Sequence, residues 1–246
     1  MTDSYKIGKT EISIIRENTF VIESTNLILD SIHDNMTQIH SKYIKKIPQS
    51  HPVKKTNMPS SSSISTAKIE FHTTSVMPLS KFLNKKENKH GLHFNTMLHF
   101  IGNIGNQLTH FKNNGYSIPF FSLDDIIVID EVIFAFINTD KIFKIDTKNN
   151  NNITIDYPIS YDAFNSFIPP GIGFDNPKES KLPIDVHFSS AHYSLAQLCI
   201  FIFLKQKIKN EADYDEVSGS FIYTSFYWCL KRCLDKDENK RILLYV

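Results

Sequence analysis

Arginine is nearly missing from this chain: Arg16, Arg232 and Arg241 are the only three among 27 basic residues. Lys, Asn and Ile are abundant instead, which reads as the mark of an AT-rich coding sequence, not as a physical adaptation. Net charge is missing too. Lys and Arg number 27 against 26 Asp and Glu, a formal +1, so no whole-chain field draws in nucleic acid or an anionic membrane. Neither is expected as a partner. The three cysteines, Cys199, Cys229 and Cys233, are few, odd in number and set in or beside apolar runs. That excludes a disulfide framework and points to reduced, buried thiols in an intracellular, cytoplasmic protein. Long hydrophobic runs are absent. The most apolar stretch, "YSLAQLCIFIFLK" from Tyr193 to Lys205, falls short of the ~20 residues a bilayer takes. Being apolar on all sides, it is expected as a helix buried in a core. The opening "MTDSYKIGKTEISII" lacks the charged-then-apolar pattern of a secretory signal.

What is present is an ordinary globular composition. Across 246 residues, 41% are hydrophobic and 22% charged, enough to build one large domain or two lobes with a real core. "YKIG", "EISIIRE" and "TFVIES" are β-prone segments separated by turn-like breaks, and "EISII" is expected to pair with "TFVIE". Apolar spacing at Leu29, Ile32, Met36, Ile39 and Tyr43 predicts a helix, with Ser24 or Thr25 as its cap. Residues 48–66, rich in Pro and Ser, read as a mobile loop. "AKIEFHTT" predicts a strand, and Pro78 fits the first turn of a short helix. Phe94, Leu98, Ile101, Gly105, Leu108 and Phe111 predict one face of a long helix, ended by Asn113-Asn114-Gly115. "IPFFSLDDIIVIDEVIFAFIN" follows, two apolar strands joined by an Asp-Glu turn. "KIFKID" predicts another strand, and Asn149 to Asn152 a turn or exposed loop. Ile222, Phe226, Cys229, Leu230 and Cys233 predict a closing amphipathic helix.

This order resembles the bilobal protein kinase fold. "AKIEFHTTSVMPLSKFL" looks like the last strand of a small lobe, a hinge and the first helix of a large lobe. "LDDIIVID" resembles the family's Pro-Glu-Asn-Ile-Leu segment, and "VIFAFIN" the strand that ends in Asp-Phe-Gly. "SFIPPGI" is similar to the Ala-Pro-Glu segment and "SSAHYSLAQL" to Asp-x-Trp-Ser-Leu-Gly. "CLKRCLDKDENKRILL" resembles the closing Cys-Leu…Asp-Pro…Lys-Arg signature. The compact, Lys/Asn-rich style is most like the degenerate kinase-like proteins of large DNA viruses, placed in a viral factory or virion. The fold expected from the resemblance is α+β: a β-rich N-lobe over residues 1–75, with one helix, and a larger, mainly helical C-lobe over 76–246.

The same resemblance implies that chemistry has been lost. It puts Phe120 at the position of the catalytic Asp and Phe136 at that of the Asp-Phe-Gly Asp, so no catalytic residue is expected. Phenylalanine neither accepts a proton nor binds a hard cation. Both rings are expected to fill the space of nucleotide and metal. Gly8 alone stands in for a glycine-rich phosphate loop, and "TFVIES" offers no phosphate-binding lysine. Gly171 replaces the Ala-Pro-Glu glutamate that Arg241 would pair with, and Ala191 the Asp that ties the buried helix to the catalytic loop. Asp125 falls at the position of a magnesium-holding Asn and is the one candidate cofactor ligand. Its plainer reading, with Asp124, is as a polar residue at a strand entrance, while Asp130 belongs to the hairpin turn. His90, His93 and His99 do not share a helical face, so no metal site is expected. The leading expectation is an inactive kinase-like scaffold, decoy or regulator that binds another protein and takes no cofactor. The alternatives are a divergent Ser/Thr kinase using Asp124 or Asp125 with ATP and magnesium, and a structural virion subunit with a relic kinase fold.

Overall fold

The computed structural model describes residues 4–16, 18–39, 44–47, 66–159, 162, 165–170, 172, 182–208 and 211–243. Tyr43, most of the predicted 48–66 loop and Gly171 lie outside the described residues.

The chain opens with β1 (Ser4–Ile7), β2 (Thr10–Arg16) and β3 (Thr19–Thr25), an antiparallel meander in which "EISII" does pair with "TFVIE". Gly8 makes the β1–β2 turn possible, since its φ of +60° suits the first central position of a two-residue hairpin. Helix α1 (Asn26–Ile39) follows directly on β3, and β4 (Ile44–Ile47) and β5 (Thr66–His72) complete a five-stranded sheet in the order β1-β2-β3-β5-β4. Ser24 and Thr25 are the last residues of β3, and the Ser24 hydroxyl is hydrogen-bonded across the sheet to Thr10. Ile28, Leu29 and Ile32 bury the inner stripe of α1.

Next come β6 (Val76–Pro78), α2 (Leu79–Leu83), which starts just after Pro78, and α3 (Phe94–Asn113). Helix α3 buries Ile101, Gly105, Leu108 and Phe111 of the expected face, but its first turns depart from it. Phe94 and Leu98 are about two-fifths exposed (42% and 43%), while Met97, Phe100, Ile104 and Gln107 face inward. Gly115, at φ +79°, ends it. Then follow β7 (Tyr116–Ser117), β8 (Phe121–Ser122), β9 (Ile126–Ile129) and β10 (Ile133–Phe136). Strands β9 and β10 are the anticipated hairpin, closed through Asp130 and Glu131, both at positive φ. All eight residues of the two strands are buried.

The remainder comprises β11 (Phe143–Asp146), β12 (Asn152–Ile155), β13 (Ser166–Phe167), β14 (Ile184–His187), α4 (Ser190–Leu204), α5 (Glu211–Val217) and α6 (Ser225–Cys233). Asn150 and Asn151, both at positive φ, turn β11 into β12, so the Asn tract is a hairpin turn. Helix α4 is the expected buried helix; Ile222 precedes α6 and is half exposed. The protein is thus mixed α+β, with three small sheets, β10-β9-β6, β14-β12-β11-β7 and β13-β8, threaded among its helices. One continuous apolar core joins Ile12, Phe20, Ile22 and Phe71 of the large sheet to α3, α4 and α6. A smaller cluster of Phe120, Phe143, Ile153, Ile155, Ile159, Ile172 and Val186 lies against β11, β12 and β14. All three cysteines are buried and unbridged. No helix among the described residues is long and apolar enough to cross a membrane.

Candidate functional site

The residues around Asp125 are brought together by local rules. Ser122 and Asp125 bracket a 3-10 turn, Leu123–Asp125, as a capping box: each side chain bonds the other's backbone N–H. The Ser122 N–H donates to Asp125 Oδ2 at 2.7 Å. The turn then runs into β9, whose pairing with β10 carries the chain back so that the Ile137 N–H donates to the Asp125 carbonyl at 2.8 Å. Asn138 caps a second 3-10 turn, Thr139–Lys141, by accepting from the Asp140 N–H. Its amide nitrogen donates to Asp125 Oδ1 at 2.7 Å. One turn on, the Lys141 ammonium lies 2.6 Å from Asp125 Oδ2, 2.7 Å from Ser122 Oγ and 4.2 Å from the centre of the Phe120 ring. Ser122 Oγ also meets Ser166 Oγ at 2.7 Å. The pair is enclosed: the side chains of Lys141 and Asp125 are 3% and 5% exposed. Burial pushes the lysine below its ordinary pKa, and the carboxylate opposes that shift.

The β1–β2 turn sits on this cluster. A methyl group on Gly8 would come within 2.7 Å of Asn138 Oδ1. The Lys9 N–H donates to Thr139 Oγ1 at 2.8 Å, and the buried Thr10 hydroxyl donates to the Ile137 carbonyl at 2.6 Å. The tight turn lets backbone reach the 137–139 segment directly, which a larger residue at position 8 would prevent.

The other anticipated site residues fall elsewhere. Phe120 and Phe136 do not fill one shared space. Phe120 belongs to the smaller cluster, whereas Phe136 lies in the main core, edge-on to Phe111 and Phe121 at 6.1 and 5.7 Å. The reason is alternation along the strand: Phe121, one residue on, points to the opposite side and meets Phe136. Asp124 is exposed and bonds the Ser80 hydroxyl. Asp130 accepts from the Thr74 N–H and hydroxyl and from the Ser75 N–H, at 2.8, 2.6 and 3.2 Å. Burial raises its carboxyl, but these bonds outweigh that and hold it below the usual carboxylate range. His90, His93 and His99 are all exposed, and no group of three or more His, Cys, Asp or Glu suited to a metal occurs among the described residues. Ala191, expected from the resemblance to stand where an Asp would anchor the 120–122 loop, makes no such tie, and the loop is held from elsewhere on α4. Ser194, one turn further along α4, accepts from the Phe121 N–H at 2.7 Å and donates to the Phe167 carbonyl. Arg241 lies over the Tyr193 ring and donates to the Asp235 carbonyl.

Sequence reasoning missed Lys141, taken as the first residue of a strand, and missed Asn103 and Gln107, which look like the polar face of α3. The capping-box spacing Ser122-x-x-Asp125 was a usable signal for the first turn; nothing local singled out the lysine. Asn103 Oδ1 accepts from the Phe134 N–H, and the Gln107 amide both accepts from and donates to the Phe136 backbone. These two side chains, four residues apart, satisfy the edge of β10 that no strand among the described residues covers.

Compared with known proteins, the sequence matches no family model and no curated protein.

Proposed function

We propose that this chain is a catalytically inactive, kinase-like protein that acts by binding another protein. The observation that carries the reading is the Lys141–Asp125 pair under the Gly8 turn. In the kinase-like register, Asp125 is where a metal would be held and Gly8 is where backbone would cover phosphates. Here the chain's own ammonium occupies the carboxylate and its own hairpin rests on the 137–139 segment. Phosphoryl transfer depends on charge neutralisation and positioning by a metal and a base. Both carboxylate oxygens of Asp125 are instead engaged, by Lys141, Ser122 or Asn138. The sheet order β1-β2-β3-β5-β4, with a helix between β3 and β4, and the long α3 before the β9–β10 hairpin support a bilobal kinase-like arrangement. The divergent-kinase alternative draws less support, since Asp124 bonds the Ser80 hydroxyl and Asp125 is paired with Lys141.

The test is thermal unfolding of the purified protein with ATP and magnesium. No change in Tm is expected, and no phosphate should reach a generic protein substrate. A rise of several degrees would show an open nucleotide site and end this reading.

A further inference from the structure

We infer that Asp125, Asn138 and Lys141 form a self-contained cation site, in which the lysine ammonium is a covalently tethered ion matched to a single carboxylate. Three observations lead there. The ammonium is as enclosed as a bound ion would be, with 3% of the side chain exposed. Its contacts are those of a small cation in an oxygen-lined seat: a carboxylate oxygen at 2.6 Å, a hydroxyl oxygen at 2.7 Å and the face of the Phe120 ring at 4.2 Å. The third is charge. Asn138 reaches the second Asp125 oxygen at 2.7 Å, and its amide donates there. A carboxylate at that distance would repel Asp125 unless a second positive charge bridged them. One carboxylate, one amide and one ammonium therefore balance, whereas two carboxylates would call for a divalent ion with oxygen ligands.

Two exchanges follow. Lys141→Ala should leave a seat for a monovalent organic cation, because one buried negative charge remains. Asn138→Asp together with Lys141→Ala should turn the seat into a divalent one, because two carboxylates then face each other. An Asp at position 138 keeps the capping role toward the Asp140 N–H.

The experiment follows thermal unfolding and Mn2+ binding by electron paramagnetic resonance for the full chain. Wild type should show no bound Mn2+ and no Mn2+-dependent Tm shift. The Lys141→Ala variant should be stabilised by n-butylammonium and much less by Mn2+. The Asn138→Asp/Lys141→Ala variant should bind one Mn2+ per chain, with Tm rising roughly 5–10 °C at a hundredfold excess over Kd. One Mn2+ bound by wild type, or a folded double variant indifferent to Mn2+, overturns the inference. Should either variant not fold, wild type still decides it. On brief treatment with an amine-acetylating reagent at pH 8, exposed lysines should react and Lys141 should not; rapid labelling of Lys141 overturns the tethered-ion assignment. The inference stands on the contacts of Lys141 with Asp125, Ser122 and Phe120 and of Asn138 with Asp125, and goes beyond the kinase-like reading. Nucleotide binding by wild type would defeat that reading, whereas a wild-type Mn2+ site would defeat this one.

Discussion

A buried ammonium beside a buried carboxylate is costly to break from one side. Lys141→Met leaves Asp125 charged and enclosed, and Asp125→Asn leaves Lys141 without its counter-ion. Each single change should lower stability by about 3–5 kcal/mol, and the Asp125→Asn/Lys141→Met pair should recover much of the loss. Urea unfolding of all four proteins measures this; additive losses would mean the two groups are not coupled. His192 offers a second residue-scale expectation. Burial, with Lys112, Arg241 and His187 nearby, pushes it down to about 4, although a bond to the Arg241 carbonyl opposes the shift. Its folded pKa lies below the ordinary ~6.5, so the unfolded chain takes up a proton that the folded one refuses. The stability this group provides is therefore complete above about pH 6.5 and falls as pH drops toward 4, by up to roughly 1.4 kcal/mol per pH unit. Replacing His192 by Gln should flatten that slope in a Tm-against-pH series.

At the scale of elements, much was legible. Strands β9 and β10 announce themselves as unbroken apolar runs around a turn, and α4 as a segment apolar on every side, because burial on all faces leaves no polar stripe. Asn103 and Gln107 were not legible. On a helical wheel they are polar and therefore outward, yet both are buried, since α3 supplies the donors and acceptors that the edge of β10 needs. Replacing Gln107 by Leu should strand the Phe136 N–H and carbonyl and cost about 1–3 kcal/mol for each group. Hydrogen exchange should then speed up at β10 and α1, because Gln107 also donates to Ser31 of α1 at 2.8 Å. Unchanged protection at Phe136 would deny it this role. The β1–β2 hairpin carries its own expectation. Gly8→Ala meets both a left-handed φ and Asn138 Oδ1, so the turn should lift from the 137–139 segment. Faster amide exchange at Lys9, with β9 unaffected, would register that release.

For the whole molecule, the β1–β2 turn ties the five-stranded sheet to the segment that follows β10. Contacts from Gly8, Lys9 and Thr10 to residues 137–139 span some 130 positions in sequence, and |i−j| is 130 and 127 for the two hydrogen bonds. Gly8→Ala should not on its own admit ATP, because Lys141 still holds Asp125; melting with and without ATP and magnesium checks this. By itself the sequence determined the α+β class, the β2–β3 pairing, the β9–β10 hairpin and the buried helix, because each depends on apolar periodicity and turn residues within a short window. Only the tertiary structure decided that Lys141 pairs with Asp125, that Phe120 and Phe136 go to different clusters, and that Ser194 of α4 anchors the 120–122 loop. Those outcomes turn on which charges and backbone groups are left without water once distant segments pack, and no local pattern encodes that.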